Sequence, residues 1–246
     1  MWLATRGAGT RASLVLVGLV SAGAVVAALL GRGHPWVDAV PAIGSAAIAW
    51  SAGLMLAYVV SLRALHRDRE DGILMLLRAR GIGPFGYVLA RTGGLVVVLA
   101  GAMGTGVACV GVAATTVSMA PLSAARASLG AIAYTLAFAA TLGPLAMATV
   151  GGRSRALGYL TLLAVLALPE ALAPWTRNLL PVGWRELTSI PAALDAVRHA
   201  VARAGAAAPA VRALLALSVA VVVSLMVVRA RMTQVSVEQG VEGVGR

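Results

Sequence analysis

Long apolar runs broken by short charged stretches dominate this chain. Six windows stand out: Ala12 to Leu30, Val40 to Leu62, Thr92 to Ser118, Ala127 to Val150, Ala156 to Ala173 and Ala213 to Val228. Crossing ~30 Å of hydrocarbon takes about 20 such residues in a helix. Within the windows the only ionisable side chain of the Asp, Glu, Arg or His type is Glu170, beside Pro169 at the end of the fifth. A helix apolar on every side belongs in lipid or in a large core. In lipid every backbone N–H and C=O must be satisfied internally, which helices do. The pattern predicts an all-α integral membrane protein with about six transmembrane helices in one domain, residues 1–246. Pro144 predicts a kink in the fourth span, and Pro169 predicts that the fifth is short and broken. The first window follows Arg6 and Arg11 as a signal peptide's would, but its 19 residues are long for that role. It is read as a retained span.

Composition agrees. Of 246 residues, 60% are hydrophobic and 12% charged, and mean hydropathy is +0.90. Soluble domains are about half apolar and about a quarter charged. Aromatics make up only 4%, so Ala, Val, Leu and Gly supply the apolar mass. Small residues suit membrane helices, whose association depends on close packing. The single cysteine, Cys109, excludes a disulfide within the chain.

The net charge of +11 comes from arginines that flank the spans, a distribution that points to membrane topology and not to nucleic acid. With the N-terminus in the cytoplasm, the inner segments hold Arg6, Arg11, six arginines from Arg63 to Arg91, Arg153, Arg155, Arg229, Arg231 and Arg246. The short outer loops hold only Arg32 and Arg126. The long loop after span five adds Arg177, Arg185, Arg198, Arg203 and Arg212, but long loops weigh less in this rule. The bias places both termini on the cytoplasmic side of an inner (plasma) membrane.

Two segments outside the spans depart from simple connections. The first is residues 63–91. Asp68, Glu70 and Asp71 would start a short helix and Arg78 and Arg80 would end it, as the helix dipole favours, with Gly81 as its stop. Between them, Ile73 to Leu77 is too short to span and too apolar for water. It either lies on the membrane surface or docks on a partner. The second is the outer loop, residues 170–212, with Pro174, Pro181, Pro191 and Pro209. After Pro191, Leu194, Val197 and Val201 share one helical face, and Asp195, Arg198, His199 and Arg203 another. This predicts an amphipathic helix on the outer surface. The preceding stretch, with Trp175 and Trp184 as interfacial anchors, either re-enters the bilayer part-way or lies on it.

Catalytic patterns are missing. His34, His66 and His199 are far apart, and no HExxH or GxSxG occurs. Gly101 to Gly106, GAMGTG, lies within a span and follows no strand, so it is not a phosphate loop. Gly101, Thr105, Cys109 and Ala113 instead form a ladder of small side chains suited to helix packing. Ion-coupled transporters place carboxylates or histidines at membrane depth. The apolar spans therefore direct the search for an energy source outside the chain. A passive membrane scaffold or assembly protein meets the same constraint.

The segment RDREDGILMLL, Arg67 to Leu77, resembles the loop after the second span of type-2 ABC-transporter permeases. Six spans, cytoplasmic termini and a broken segment before the last span are similar to that family too. The resemblance implies that the loop holds the coupling helix, which docks on a separate ABC ATPase subunit. Asp68, Glu70, Asp71, Gly72, Ile73, Leu74 and Leu77 would make that contact. It further implies a homodimer or a pair with a related permease, no cofactor in this chain, and ATP bound and hydrolysed by the partner. Arg67, Asp68, Asp71, Gly72 and Leu74, then Val88 to Arg91, and the run Gly151 to Pro169 resemble the haem-exporter protein B branch of cytochrome c maturation. Ile73, Met75, the turn RARGIG, a short N-terminal segment and a longer outer loop depart from that branch.

Overall fold

The computed structural model describes residues 8–70, 80–81, 83–150, 155–176, 184–203 and 207–244. Almost all of them are helical. Helix α1, Ala8–Leu30, is apolar along its length and buries little of itself. A turn with Gly33 at φ +83° follows. The chain then enters a 3-10 turn, Pro35–Ala39, with its proline at the helix start. That turn leads into α2, Val40–Ala47, a π-helical turn, Ile48–Gly53, and α3, Leu54–Glu70. Val40, Ile48 and Leu54 all hold right-handed helical angles at the junctions, so one rod results.

Helix α4, Pro84–Val117, starts on a proline capped by Gly83 and extends well beyond the apolar window that begins at Thr92. Helix α5, Pro121–Val150, is the centre of the bundle and the most buried of the long helices. It packs against every long helical element of the fold except α1. Helix α6, Arg155–Thr176, runs through Pro169, where the sequence pattern predicts a break, and through Pro174. Each proline removes one backbone donor, a loss that membrane helices tolerate. Likewise α5 is one helix through Pro144. The last helix, α9, Ala207–Val244, has 38 residues. At 1.5 Å per residue it is roughly 57 Å long and outreaches the hydrocarbon.

Among the described residues six helical segments are long and apolar enough to cross a membrane: Ala8–Leu30, Pro35–Leu62, Phe85–Val117, Pro121–Val150, Ala156–Trp175 and Ala207–Arg231. Contacts define the two ends of the bundle. At the end where α1 starts and α9 finishes, Arg231 donates to the Ala148 carbonyl at 2.5 Å and Arg229 lies over the Phe85 ring. A cation at the carboxyl end of α5 suits the helix dipole. At the opposite end, Ser118 donates to Asp38 at 2.5 Å and ties the turn after α4 to the turn after α1.

The core is built of Leu56, Leu99, Met103, Phe138, Leu142, Met147 and Leu162, all but fully buried. Hydroxyls within the helices mostly donate to a carbonyl one turn back, as Ser21 does to Val17, Thr92 to Val88 and Thr135 to Ala131. Such bonding satisfies a polar group without calling on a neighbouring helix.

Candidate functional site

Of the residues expected to couple to a partner, Asp71, Gly72, Ile73, Leu74 and Leu77 lie outside the described residues. Asp68 and Glu70 are helical and continuous with the second span in α3, which is described as far as Glu70. Gly81 takes φ +72°, a left-handed turn of the kind expected there. Helix α4 then begins at Pro84, on the end of the bundle where Arg229 meets Phe85.

The small-residue ladder on α4 does not serve packing within the chain over most of its length. Gly101, Thr105 and Cys109 are exposed, while Ala113 is buried. Steps of four residues advance ~40° each around a helix, so three steps rotate the ladder by ~120° and bring Ala113 onto the packed face. The close approaches on α4 are at Gly106 and Gly111 instead. A methyl group at Gly106 would lie 2.3 Å from the Ser21 oxygen, and one at Gly111 2.9 Å from the Ser128 Cβ.

The stretch between α6 and the last helix builds the most elaborate polar site among the described residues. Helix α7 covers Trp184–Thr188 and α8 covers Ile190–Ala202. Ser189 caps α8 by accepting from the Ala192 N–H at 3.2 Å, and Pro191 occupies its first turn. The amphipathic pattern predicts α8, but on the surface. It is instead docked into the bundle, against α5 and α9. Ala193 and Leu194 are fully buried and Val197 is half-buried, whereas Val201 is exposed. Gly130 on α5 makes this approach possible: a methyl there would sit 2.8 Å from the Arg198 carbonyl and 3.0 Å from the Ala202 Cβ.

Docking brings charge to the aromatic centre. Arg198 pairs with Asp195 at 2.9 Å and lies over the Tyr134 ring at 5.9 Å. Tyr134 is almost fully buried, and its hydroxyl accepts from the Trp50 indole N–H at 2.7 Å. Trp50 sits on the π-helical turn and meets Phe138 edge-on at 5.2 Å. Turns of that kind recur at functional sites. Tyr134 lies seven residues, about 10 Å, along the helix from Ala127, where the apolar window of span four begins. The apolar windows read as free of charge at that depth because the charge arrives from the loop, not from a span.

A second set of contacts clamps the loop. Glu170 on α6 accepts from Ser189 and pairs with Arg185 at 2.7 Å. Glu186 pairs with Arg212 on α9 at 2.9 Å. Sequence reasoning missed these ties because the partners stand 15, 19 and 26 residues apart. Trp50 and Tyr134 are 84 residues apart, with no local signal connecting them. Among the described residues no three His, Cys, Asp or Glu side chains converge as a metal site would require. The Arg198, Tyr134 and Trp50 cluster is a closed polar and aromatic contact that ties α8 to the bundle.

No protein-family model matches this chain, and neither a curated protein nor a solved structure is detectably similar to it.

Proposed function

We propose that this chain is the membrane-spanning subunit of an ATP-driven exporter of the type-2 ABC class, powered by a separate ATPase that docks on residues 63–91. One observation carries the reading: the run Ile73 to Leu77 is apolar, is flanked by Asp68, Glu70 and Asp71 on one side and Arg78 and Arg80 on the other, and connects two spans. A loop of that composition needs a cover. The spans support an external energy source. Among the described residues their carboxylates are Asp38, which accepts from Ser118 at the end of its helix, and Glu170, which Arg185 and Ser189 already hold. Closure of paired ATPases would move the two loops of a dimer and tilt the bundles in alternating access. The docked helix α8, with the Arg198 and Tyr134 site beside it, would then line the outer part of the path. Haem export for cytochrome c maturation is the finer form of this proposal.

The test is Leu74→Asp with Leu77→Asp in a tagged full-length chain, purified from native membranes. Truncating a buried interface anchor costs ~2 kcal/mol or more, so an ATPase that co-purifies with the parent chain is lost while the variant still inserts. An ATPase retained at full yield refutes the coupling reading, and the scaffold reading takes its place. Loss of c-type cytochromes on deletion of the gene would support the haem branch.

A further inference from the structure

Between α6 and α9 lies an open groove of about 490 Å³. Val165 and Leu168 form one wall, Val219 and Val223 the other, and Leu217 the floor. The wall residues are well exposed and Leu217 is buried. Helix α6 rests on α5 and makes no extensive contact with α9, which is why the space stays open. Both flanking helices are among the least buried of the six long ones, so the groove faces the surroundings of the bundle.

One end of the groove is polar. Thr188 and Ser189 close it, beside Pro169. Glu170 holds Ser189 there and pairs with Arg185, and the Glu186–Arg212 pair follows directly. The array alternates in sign and sums to zero. Arg185 is 60% exposed at its side chain and Glu170 30%, so both signs are presented at the mouth.

We infer that this groove is a binding site for a zwitterionic phospholipid, with one acyl chain between α6 and α9 and the headgroup at the Glu170 and Arg185 pair. The inference rests on the membrane-crossing reading and is independent of the ATPase. Dimensions fit. Ala216 to Val223 on α9 cover about 10 Å, against about 15 Å of hydrocarbon in one leaflet. The volume is that of a ligand site, in the range of roughly 300–1,000 Å³. Charge fits as well. A phosphate reaches the exposed guanidinium of Arg185, and an ammonium reaches the Glu170 carboxylate. A purely anionic headgroup would compete with Glu170 for Arg185 and bring no cation to the Glu170 carboxylate in exchange.

The experiment uses the full chain in nanodiscs doped with phosphatidylethanolamine or phosphatidylglycerol carrying a diazirine on the acyl chain. Cross-links are mapped by mass spectrometry. Val15 and Leu19, exposed on α1, report ordinary lipid contact and confirm insertion. The phosphatidylethanolamine probe is expected to label the groove walls several-fold above Val15 and Leu19. Ala220→Trp, or Ala164→Phe from the opposite wall if the first variant inserts poorly, should bring the walls down to that background with α1 labelling unchanged. Arg185→Ala should remove the preference for phosphatidylethanolamine. Equal labelling of groove and α1, or walls still labelled in both filled variants, overturns the site. Stronger labelling by phosphatidylglycerol overturns the zwitterionic assignment.

Discussion

The bond between Trp50 and Tyr134 is open to a direct energetic test. Tyr134→Phe removes the hydroxyl that accepts the indole N–H at 2.7 Å but keeps the ring. The stacking on Phe138 and the Arg198 contact, which need only the ring, remain. Trp50→Phe removes the donor. Each single change leaves a buried polar group without its partner, which costs about 1–3 kcal/mol. The double variant leaves neither group, so its loss should be smaller than the sum of the two. Hydrogen bonds between membrane helices couple by about 0.6 kcal/mol on average and about 1.7 at most. That interval corresponds to about a 3-fold to an 18-fold effect on the folding equilibrium. Reversible unfolding of the four proteins in mixed micelles, followed by tryptophan fluorescence with a steric trap as the second probe, gives the coupling. A value of zero within error would mean that the two side chains do not bond, and the outer site as described would be wrong.

Further outcomes follow from the docked helix and the clamp. Gly130→Leu should expel α8. A cysteine at Ala193, fully buried, would be protected from an impermeant maleimide in the parent and labelled in the Gly130→Leu background; continued protection would contradict the close approach. Ser189→Ala removes both the cap of α8 and the bond to Glu170 and should lower stability by about 1–2 kcal/mol, measured in the same unfolding assay. Arg185→Ala should cost at most about 1 kcal/mol because that pair is largely exposed, with high salt erasing the difference. In the proposed orientation, Met119→Cys is labelled from outside intact cells and Arg80→Cys only after permeabilisation; the reverse result would invert the topology.

How much of this was legible in the sequence varies with the range of the interactions. Span number and helical class were readable because hydropathy over 20 residues is a local property. Helix ends were less so. The pattern starts the third span at Thr92, yet Pro84 starts the helix, because a proline at the first turn costs nothing and Arg91, which ends the apolar window, does not end a helix. Pro169 reads as a break, but α6 continues through it, because a proline removes one backbone donor and a membrane helix tolerates that loss. In the outer loop, periodicity found the α8 face through Leu194 and Val197. It erred at Val201, because the docked surface ends where Gly130 and Ala202 meet. The depth of α8 was not readable at all, since it depends on a glycine some 70 positions earlier. Nor does any composition rule foresee the π-helical turn that carries Trp50. Residues 71–79, which carry most of the coupling proposal, lie outside the described residues.

The ion pairs of the outer loop also bear on how the chain enters a membrane. Residues 170–212 contain five arginines and three acids, Glu170, Glu186 and Asp195, and each acid is paired with an arginine of the same loop. In the proposed orientation this segment must cross toward the positive side of an energised membrane. Moving one charge against 100 mV takes about 2.3 kcal/mol, so five uncompensated cations would take about 12 and the net two take about 5. The carboxylates that clamp the loop once it is folded therefore travel with it as counter-charge during insertion, and removing them would burden translocation before any folded contact existed to be lost.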